Sequence, residues 1–517
     1  MSDDLHPPRR PSRREPASPL TMSPARFRAL GERALDIAGK HLEELPRNPV
    51  RSSLPSDQLE RLRAVALPEE GASEDAILDF LAAHVMPFPL GNGHPGFFAW
   101  ITSAPAPIGV LGDLLATTLN SNCGAGGEHG ALELEGVVTR WIMELIGFPT
   151  DRSRGLLVSG GSMANLTALA VARQWALARF GLDVRETGVL DDPRLVLYES
   201  EESHSSIRKA AELLGLGGRY VRTIPVDEQL RMRVDLLREA IAADRAAGLA
   251  PFCVVATSGT VSSGAIDPLD EIADVCAAHD LWFHVDGAYG GVAAADPEMR
   301  GHLAAIGRAH SVALDPHKWL AVPIECGCVL VREEAIQRAT FSVNPAYLRL
   351  DDDATREAPW PFELGVQLSR APRALKSFAV LMRLGRRGIA ETIARHRALA
   401  SRFAGWIEEA DDLELTAPVP LSIVCFRYVP PGRALDASAL DRLNLAIAEE
   451  VNARGRAFSS PTVLRGRASL RASIIHYDVG EEHLRVLLDE VRTVGDELSR
   501  RLDTPPAGRR SGSCRRT

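Results

Sequence analysis

The chain reads as an α/β protein, a mostly parallel sheet covered by helices on both faces, on three observations. Between about residues 106 and 390, short β-rich runs alternate with helical stretches. The runs at 156–158, 195–198, 252–255, 281–285, 312–314 and 328–331 are continuously apolar, as strands buried on both faces must be. Polar, often glycine-containing clusters follow several of these runs, at the carboxyl ends where such sheets bind ligands.

The flanking elements follow in order. Residues 1–21 and 501–517 are rich in Arg, Pro, Ser and Gly without an apolar period, and are expected to be disordered tails. Residues 22–105 read as a helical N-terminal arm. Within it, Ser73 can cap a helix over 73–85 in which Ile77, Leu81 and Val85 share one face. Residues 106–390 form the large domain, with helices such as 269–278 between its strands. Residues 391–500 read as a small α+β domain in the order helix, strand, helix, strand, helix. Its strands are expected at 421–426 and 470–475, and Leu440, Leu443, Ile447 and Val451 mark a helix face.

Composition excludes several classes. A length of 517 residues with 45% apolar content supports a large core with smaller flanking pieces. With 68 acidic against 59 basic residues and a net charge of −9, nothing suggests a nucleic-acid partner. The N-terminus is charged and Pro-rich where a secretory signal would be apolar, and no run of about 18 apolar residues occurs, so a soluble, cytoplasmic protein off the membrane is expected. Seven widely spaced cysteines form neither a disulfide framework nor a zinc pattern, and no metal is expected. Cys326 and Cys328, alternate residues on an expected strand, read as buried thiols.

Five polar clusters carry the chemistry. The first, Ser159-Gly160-Gly161-Ser162, lies between a strand and a helix expected over 166–180. Glycines let the backbone approach an anion, Ser162 can cap the helix, and the helix N-terminus supplies free N–H groups; the same pattern also serves as an ordinary capped loop. The second holds His204, which can lie flat over a heteroaromatic ring or simply be a capping residue. Thr257 stands in the third and Asp286, followed by Gly287 and Ala288, in the fourth. The fifth is Asp315-Pro-His317-Lys318-Trp319. A lysine amine able to form a Schiff base, with a carboxylate to protonate a pyridine nitrogen, is the minimal apparatus for pyridoxal 5′-phosphate chemistry. Alone, Asp286 is also a plausible strand-end cap and Lys318 a surface lysine; in order, at successive strand ends, the five clusters point to one site.

On these motifs the chain resembles the group II pyridoxal-phosphate-dependent decarboxylases of the aromatic-L-amino-acid decarboxylase kind, from about residue 30 to about 495. The resemblance implies fold type I with a seven-stranded sheet, a bound pyridoxal 5′-phosphate, and a homodimer with shared active sites. It implies that Lys318 carries the cofactor, Asp286 pairs with its ring nitrogen and His204 stacks on the ring, with Thr257 and Ala288 close by. Gly161, Ser162 and His317 would hold the phosphate or its surroundings. The segment 341–348 resembles the family's mobile loop, in which Tyr347 would return a proton to the carbon that has lost CO2. Related aldehyde synthases commonly carry Phe there.

The same resemblance makes 94–100 a pocket-forming segment that in relatives reaches the partner's active site. The expected substrate pocket comprises His94, Trp100, Ile101, Ser103, Ser121 and Cys123. The expected activity is decarboxylation of an aromatic or similarly bulky L-amino acid to the amine. Asn92 stands where aromatic-specific relatives often have Trp, and Ser121 and Cys123 replace bulkier apolar residues. A polar or acidic amino acid therefore stays open as substrate, as does an aldehyde synthase or another pyridoxal-phosphate lyase.

Overall fold

The computed structural model describes residues 18, 20–125, 129–189, 193–343 and 359–501. Two compact units divide it, Met1–Leu90 and Gly91–Thr517. The boundary falls earlier than the expected end of the arm at residue 105, and local pairing explains why. Phe98 N donates to Phe458 O at 2.7 Å and Ser473 N donates to Phe98 O at 2.9 Å, so residues 97–98 extend the C-terminal sheet.

The first unit is helical: α1 (Pro24–Glu44), α2 (Ser56–Arg63) and α3 (Glu74–His84). Ser73 caps α3 as its sequence predicts, its side chain accepting from Ala76 N. On the shared face Ile77, Leu81 and Val85 are exposed, at 49%, 44% and 46%.

The larger unit continues with α4 (Pro107–Leu119) and α5 (Gly130–Ile146), then alternates strand and helix. The strands are β1 (Arg154–Val158), β2 (Leu195–Ser200), β3 (Val221–Ile224), β4 (Ala250–Thr257), β5 (Trp282–Asp286), β6 (Ser311–Leu314) and β7 (Gly327–Val331). They form one seven-stranded sheet in the order β1-β7-β6-β5-β4-β2-β3. All neighbours are parallel except those of β7, which runs antiparallel to both β1 and β6. Every residue of β2, β5, β6 and β7 is buried, which is why these strands read as continuous apolar runs. Strand β3 escaped the sequence reading because it is a four-residue edge strand with a mixed pattern, Val-Arg-Thr-Ile.

Helix α6 (Gly161–Ala178) follows β1 directly. The next helices are α7 (Val184–Thr187), α8 (Ser206–Leu213), α9 (Val234–Ala246), α10 (Leu269–His279) and α11 (Glu334–Phe341). Helix α12 (Ala374–Glu408) runs through the expected boundary at 390/391, broken only at Gly385, whose φ of 63° leaves the helical region. No chain break marks that boundary because one long helix serves both sides of it.

The C-terminal part has four strands rather than the two expected: β8 (Leu413–Leu415), β9 (Ile423–Tyr428), β10 (Ser460–Leu464) and β11 (Arg467–Ser473), in the antiparallel order β10-β11-β9-β8. The two missed strands are its edges. One is three residues long, and the other alternates polar with apolar residues and carries Pro461, as edge strands tolerate. Helices α13 (Ala437–Arg454) and α14 (Glu481–Arg501) cover the sheet; Leu440, Leu443, Ile447 and Val451 lie buried on α13 as their spacing predicts.

One buried ion pair fixes the approach to the first cluster. Arg370 Nη2 meets Glu135 Oε1 at 2.5 Å and also donates to Leu157 O at 2.6 Å, while Nη1 donates to Cys123 O at 2.8 Å. Glu135 in turn accepts from Leu157 N at 2.9 Å. The pair thus clamps β1 just before the Gly160–Gly161 turn. Removing one partner of a buried pair strands the other charge and costs about 3–5 kcal/mol. Arg370→Ala should lower stability by that amount in chemical denaturation, and a loss below about 1 kcal/mol would show that solvent replaces the pair.

Candidate active site

The strands deliver polar side chains to a cleft of about 370 Å³ at their carboxyl ends. Nine of the residues expected at the site border it: Ile101, Gly161, Ser162, His204, Thr257, Asp286, Ala288, His317 and Lys318. Thr257 and Asp286 end adjacent strands and are direct register partners.

Lys318 sits in a turn closed by its own N–H donating to Asp315 O at 2.9 Å, and its Nζ lies 2.9 Å from Asp315 Oδ2. Asp315 is buried, and its Oδ1 has no hydrogen-bond partner among the described residues. His317 lies against the Cys326 backbone, Nδ1 to O at 2.8 Å, and burial holds its pKa below the usual histidine range.

The turn before α6 is open for steric reasons. A Cβ on Gly161 would stand 2.7 Å from Asp315 Oδ2, and one on Gly327 would stand 2.5 Å from Gly160 Cα. Only glycine lets these backbones close on each other and on an anion at the helix N-terminus. The expected cap by Ser162 is not formed: Gly160 is the N-cap, the helix begins five residues earlier than expected, and no side chain caps it. Ser162 is instead an exposed first-turn residue bordering the cleft.

Asp286 is only 4% exposed. Its Oδ1 accepts from Ala288 N at 3.1 Å and its Oδ2 from Asn165 Nδ2 at 3.0 Å. His204 is held by Ser206, Nδ1 to Oγ at 2.7 Å, and burial again lowers its pKa. Thr257 N donates to Asp267 Oδ2 at 2.7 Å, while the buried Oγ1 of Thr257 has no partner among the described residues. Burial raises Asp267 to a pKa of about 6.

Sequence reasoning missed Asp315, Asn165, Ser206 and His284 as site residues. Two had a signal: His284 alternates with Asp286 on one strand face, and Asn165 is a polar residue one helical turn after Gly161.

Of the expected substrate pocket, only Ile101 borders the cleft within one chain. His94 is buried, its Nδ1 accepting from Gly96 N at 2.8 Å, and Ser103 Oγ donates to Ile475 O at 3.3 Å. Trp100 is 47% exposed and tilts against Phe97 and Phe458. Ser121 borders a separate cavity of about 540 Å³ beside Arg370 and Arg373. Cys123 is fully buried, its thiol pushed up to about 11 by burial. Tyr347 lies outside the described residues. Cys326 and Cys328 are buried free thiols, Cys326 likewise pushed up to about 11.

An amine, a buried carboxylate at a strand end, a glycine cradle opening a helix, and orphaned oxygens on Thr257 and Asp315 together fit pyridoxal 5′-phosphate. The pyridoxal-dependent decarboxylase conserved domain matches residues 55–429. An aromatic-L-amino-acid decarboxylase of Bacillus atrophaeus is 34% identical over 93% of this chain and 98% of that protein. The crystal structure of Oryza sativa TDC with PLP and tryptamine superimposes with a TM-score of 0.87 at 30% identity, covering 93% of this chain and 99% of that one. The glutamate decarboxylase domain of diaminobutyrate-pyruvate transaminase and L-2,4-diaminobutyrate decarboxylase from Vibrio parahaemolyticus gives a TM-score of 0.81 at 27% identity, covering 92% of this chain and 96% of that one.

His284 supplies a pH test. It is fully buried, and burial lowers its pKa from 6.5 to about 4, so the folded state keeps it neutral while the unfolded chain takes up a proton below pH 6.5. Its contribution is therefore complete above pH 6.5 and is lost as pH falls toward 4. His284→Gln keeps an N–H in the Nε2 position and cannot titrate. The stability gap between wild type and this variant should narrow by about 2 kcal/mol from pH 7 to pH 5; a gap independent of pH would show that His284 titrates in the fold as it does in the unfolded chain.

Proposed function

The chain belongs to the pyridoxal-dependent decarboxylase family, and from that premise we propose that it releases CO2 from an L-amino acid with an aromatic or similarly bulky side chain, leaving the amine. The reaction class, a pyridoxal-phosphate-dependent carboxy-lyase, follows from the family. The observation that carries the reading is the convergence of Lys318, Asp286 and the Gly160–Gly161 turn on one cleft at the strand ends.

When bound, pyridoxal 5′-phosphate supplies a sink for the electron pair left as the bond from Cα to the carboxylate breaks. In this reading Lys318 would hold its aldehyde. Asp286 keeps the ring nitrogen protonated, and His204 packs on the ring face with Thr257 and Ala288 beside it. Gly161, Ser162 and the N–H groups opening α6 receive the phosphate, with His317 at its edge. Holding the substrate in a single orientation in the cleft would favour loss of CO2 over other reactions. Tyr347 is assigned the return of the proton to Cα.

Substrate class rests on the relatives named for aromatic amino acids and on the tryptamine in the rice structure. A polar amino acid is the second reading, favoured by Ser121 and Asn122 at their cavity and by the similar glutamate decarboxylase domain. Among the described residues six cysteines are free and buried, in keeping with a reducing, cytoplasmic setting. Among the described residues no helix is long and apolar enough to cross a membrane.

We further assign a homodimer with shared active sites. Helix α4 leaves Leu111, Leu114, Leu115 and Leu119 uncovered, Leu115 at 62% exposure, more contiguous apolar surface than one helix usually shows water. Two of the expected pocket residues that miss the cleft within one chain, Ser121 and Cys123, follow this helix directly.

Two experiments test these assignments. Purified protein supplied with the cofactor and a panel of aromatic, acidic and other amino acids should release CO2 and amine in equal amounts, fastest with an aromatic substrate, and Lys318→Ala should reduce turnover to background. Aldehyde with peroxide and ammonia as the main products would overturn the decarboxylase reading, and preference for an acidic substrate would select the second. Sedimentation should give a dimer that Leu115→Glu converts to monomer, since a charge cannot be buried unpaired at an apolar contact; a monomeric wild type would remove the shared-site assignment.

A further inference from the structure

A line of hydrogen bonds runs from the wall of the cleft through Asn165, a buried residue in the second turn of α6. Its Nδ2 donates to Asp286 Oδ2 at 3.0 Å and to Ser206 Oγ at 2.9 Å, and its Oδ1 faces His284 Nε2 at 2.9 Å. On the far side, His284 Nδ1 faces Ser311 Oγ at 2.8 Å, and Ser311 Oγ accepts Trp282 Nε1–H at 2.8 Å.

Donor counting gives this line a single polarity. The Trp282 N–H can only donate, so the Ser311 hydroxyl is free to donate onward to His284 Nδ1. His284, neutral because it is buried, then carries its proton on Nε2 and donates to Asn165 Oδ1. That orients the amide: oxygen toward His284, both N–H groups toward Asp286 and Ser206. Ser206 Oγ accepts from Asn165 and donates to His204 Nδ1, which also receives Ser206 N–H at 3.2 Å. His204 Nδ1 is thereby an acceptor, and its proton belongs on Nε2. A reversed amide would set N–H against N–H at His284 and leave Asp286 facing an oxygen.

We propose that Asn165 is a positioning residue of the cofactor site, one amide that fixes the orientation of the Asp286 carboxylate and, through Ser206, the nitrogen on which His204 carries its proton. The assignment rests on the cofactor reading above. Its content is that the two groups assigned to the ring nitrogen and the ring face are set together, by one amide at the wall of the cleft. Neutral donors do this without adding a positive charge that would compete with the ring nitrogen for Asp286.

Asn165→Asp keeps the size and the acceptor for His284 while replacing both donors by oxygen. Cofactor-free protein is titrated with pyridoxal 5′-phosphate and followed by the visible absorption of the bound cofactor, without substrate. Wild type serves as control, and failure of wild type to bind refutes the cofactor reading itself rather than the role of Asn165. With wild type binding, Asn165→Asp should weaken affinity roughly tenfold, the size seen when a partner that orients a ligand is lost. It should also change the positions or relative heights of the absorption bands, a readout that lost stability alone does not move. Ser206→Ala cuts the line on the His204 side only. It should alter the bands while leaving the bond between Asn165 and Asp286 in place, and it decides the matter if Asn165→Asp does not fold. Bands and affinity equal to wild type in Asn165→Asp, or unchanged bands in Ser206→Ala, overturn the proposal.

Discussion

The carboxylate of Asp286 lies in a place with almost no water, and much of the site is arranged around its hydrogen bonds. Its strand is buried throughout, and an unpaired charge there would cost several kcal/mol. The described protein groups that meet it are both neutral donors: the Ala288 N–H, presented by the turn that follows β5, and the Asn165 amide, presented by α6. Two secondary-structure elements on different sides of the cleft therefore have to stay in register for one side chain to be satisfied.

That register depends on close backbone contacts. Gly161 and Gly327 are where a methyl group would collide with Asp315 or with Gly160, so the first turn of α6 can approach both the lysine turn and β7. The Arg370–Glu135 pair holds β1, which feeds this turn, from behind. The consequence is a cleft whose walls are rigid at the strand ends: the amine of Lys318, the carboxylate of Asp315 and the imidazole of His317 come from one short turn, closed by backbone bonds to Asp315 and Cys326. Functional groups on such turns are positioned by the sheet and not by the loops themselves.

Burial also sets which groups can carry charge. His204, His284 and His317 are all shifted toward the neutral form, chiefly by loss of water. Neutral imidazoles around a site that must host a phosphate and a protonated ring leave Lys318 and the helix N-terminus as its main sources of positive potential. Asp315 beside Lys318 offsets part of that, a pairing that holds the amine in the cleft.

The sequence by itself determined the sheet and the order of the site residues along it, because strands buried on both faces must be apolar throughout and polar residues at their ends then stand out. It could not mark β3, β8 and β10, short edge strands whose patterns resemble loops, nor the start of α6, where a glycine takes the capping position that Ser162 was expected to fill. Ser121, Cys123 and His94 were legible only as pocket candidates; the tertiary structure places them away from the cleft of their own chain. Asn165 and His284 stood out in the sequence only as polar residues on one face of their elements; their roles were decided by tertiary structure, since a buried amide's role depends on which donors and acceptors three distant segments bring to it. Periodicity records which side of an element meets the core, whereas hydrogen-bond partnership across 119 or 121 residues of chain leaves no local trace.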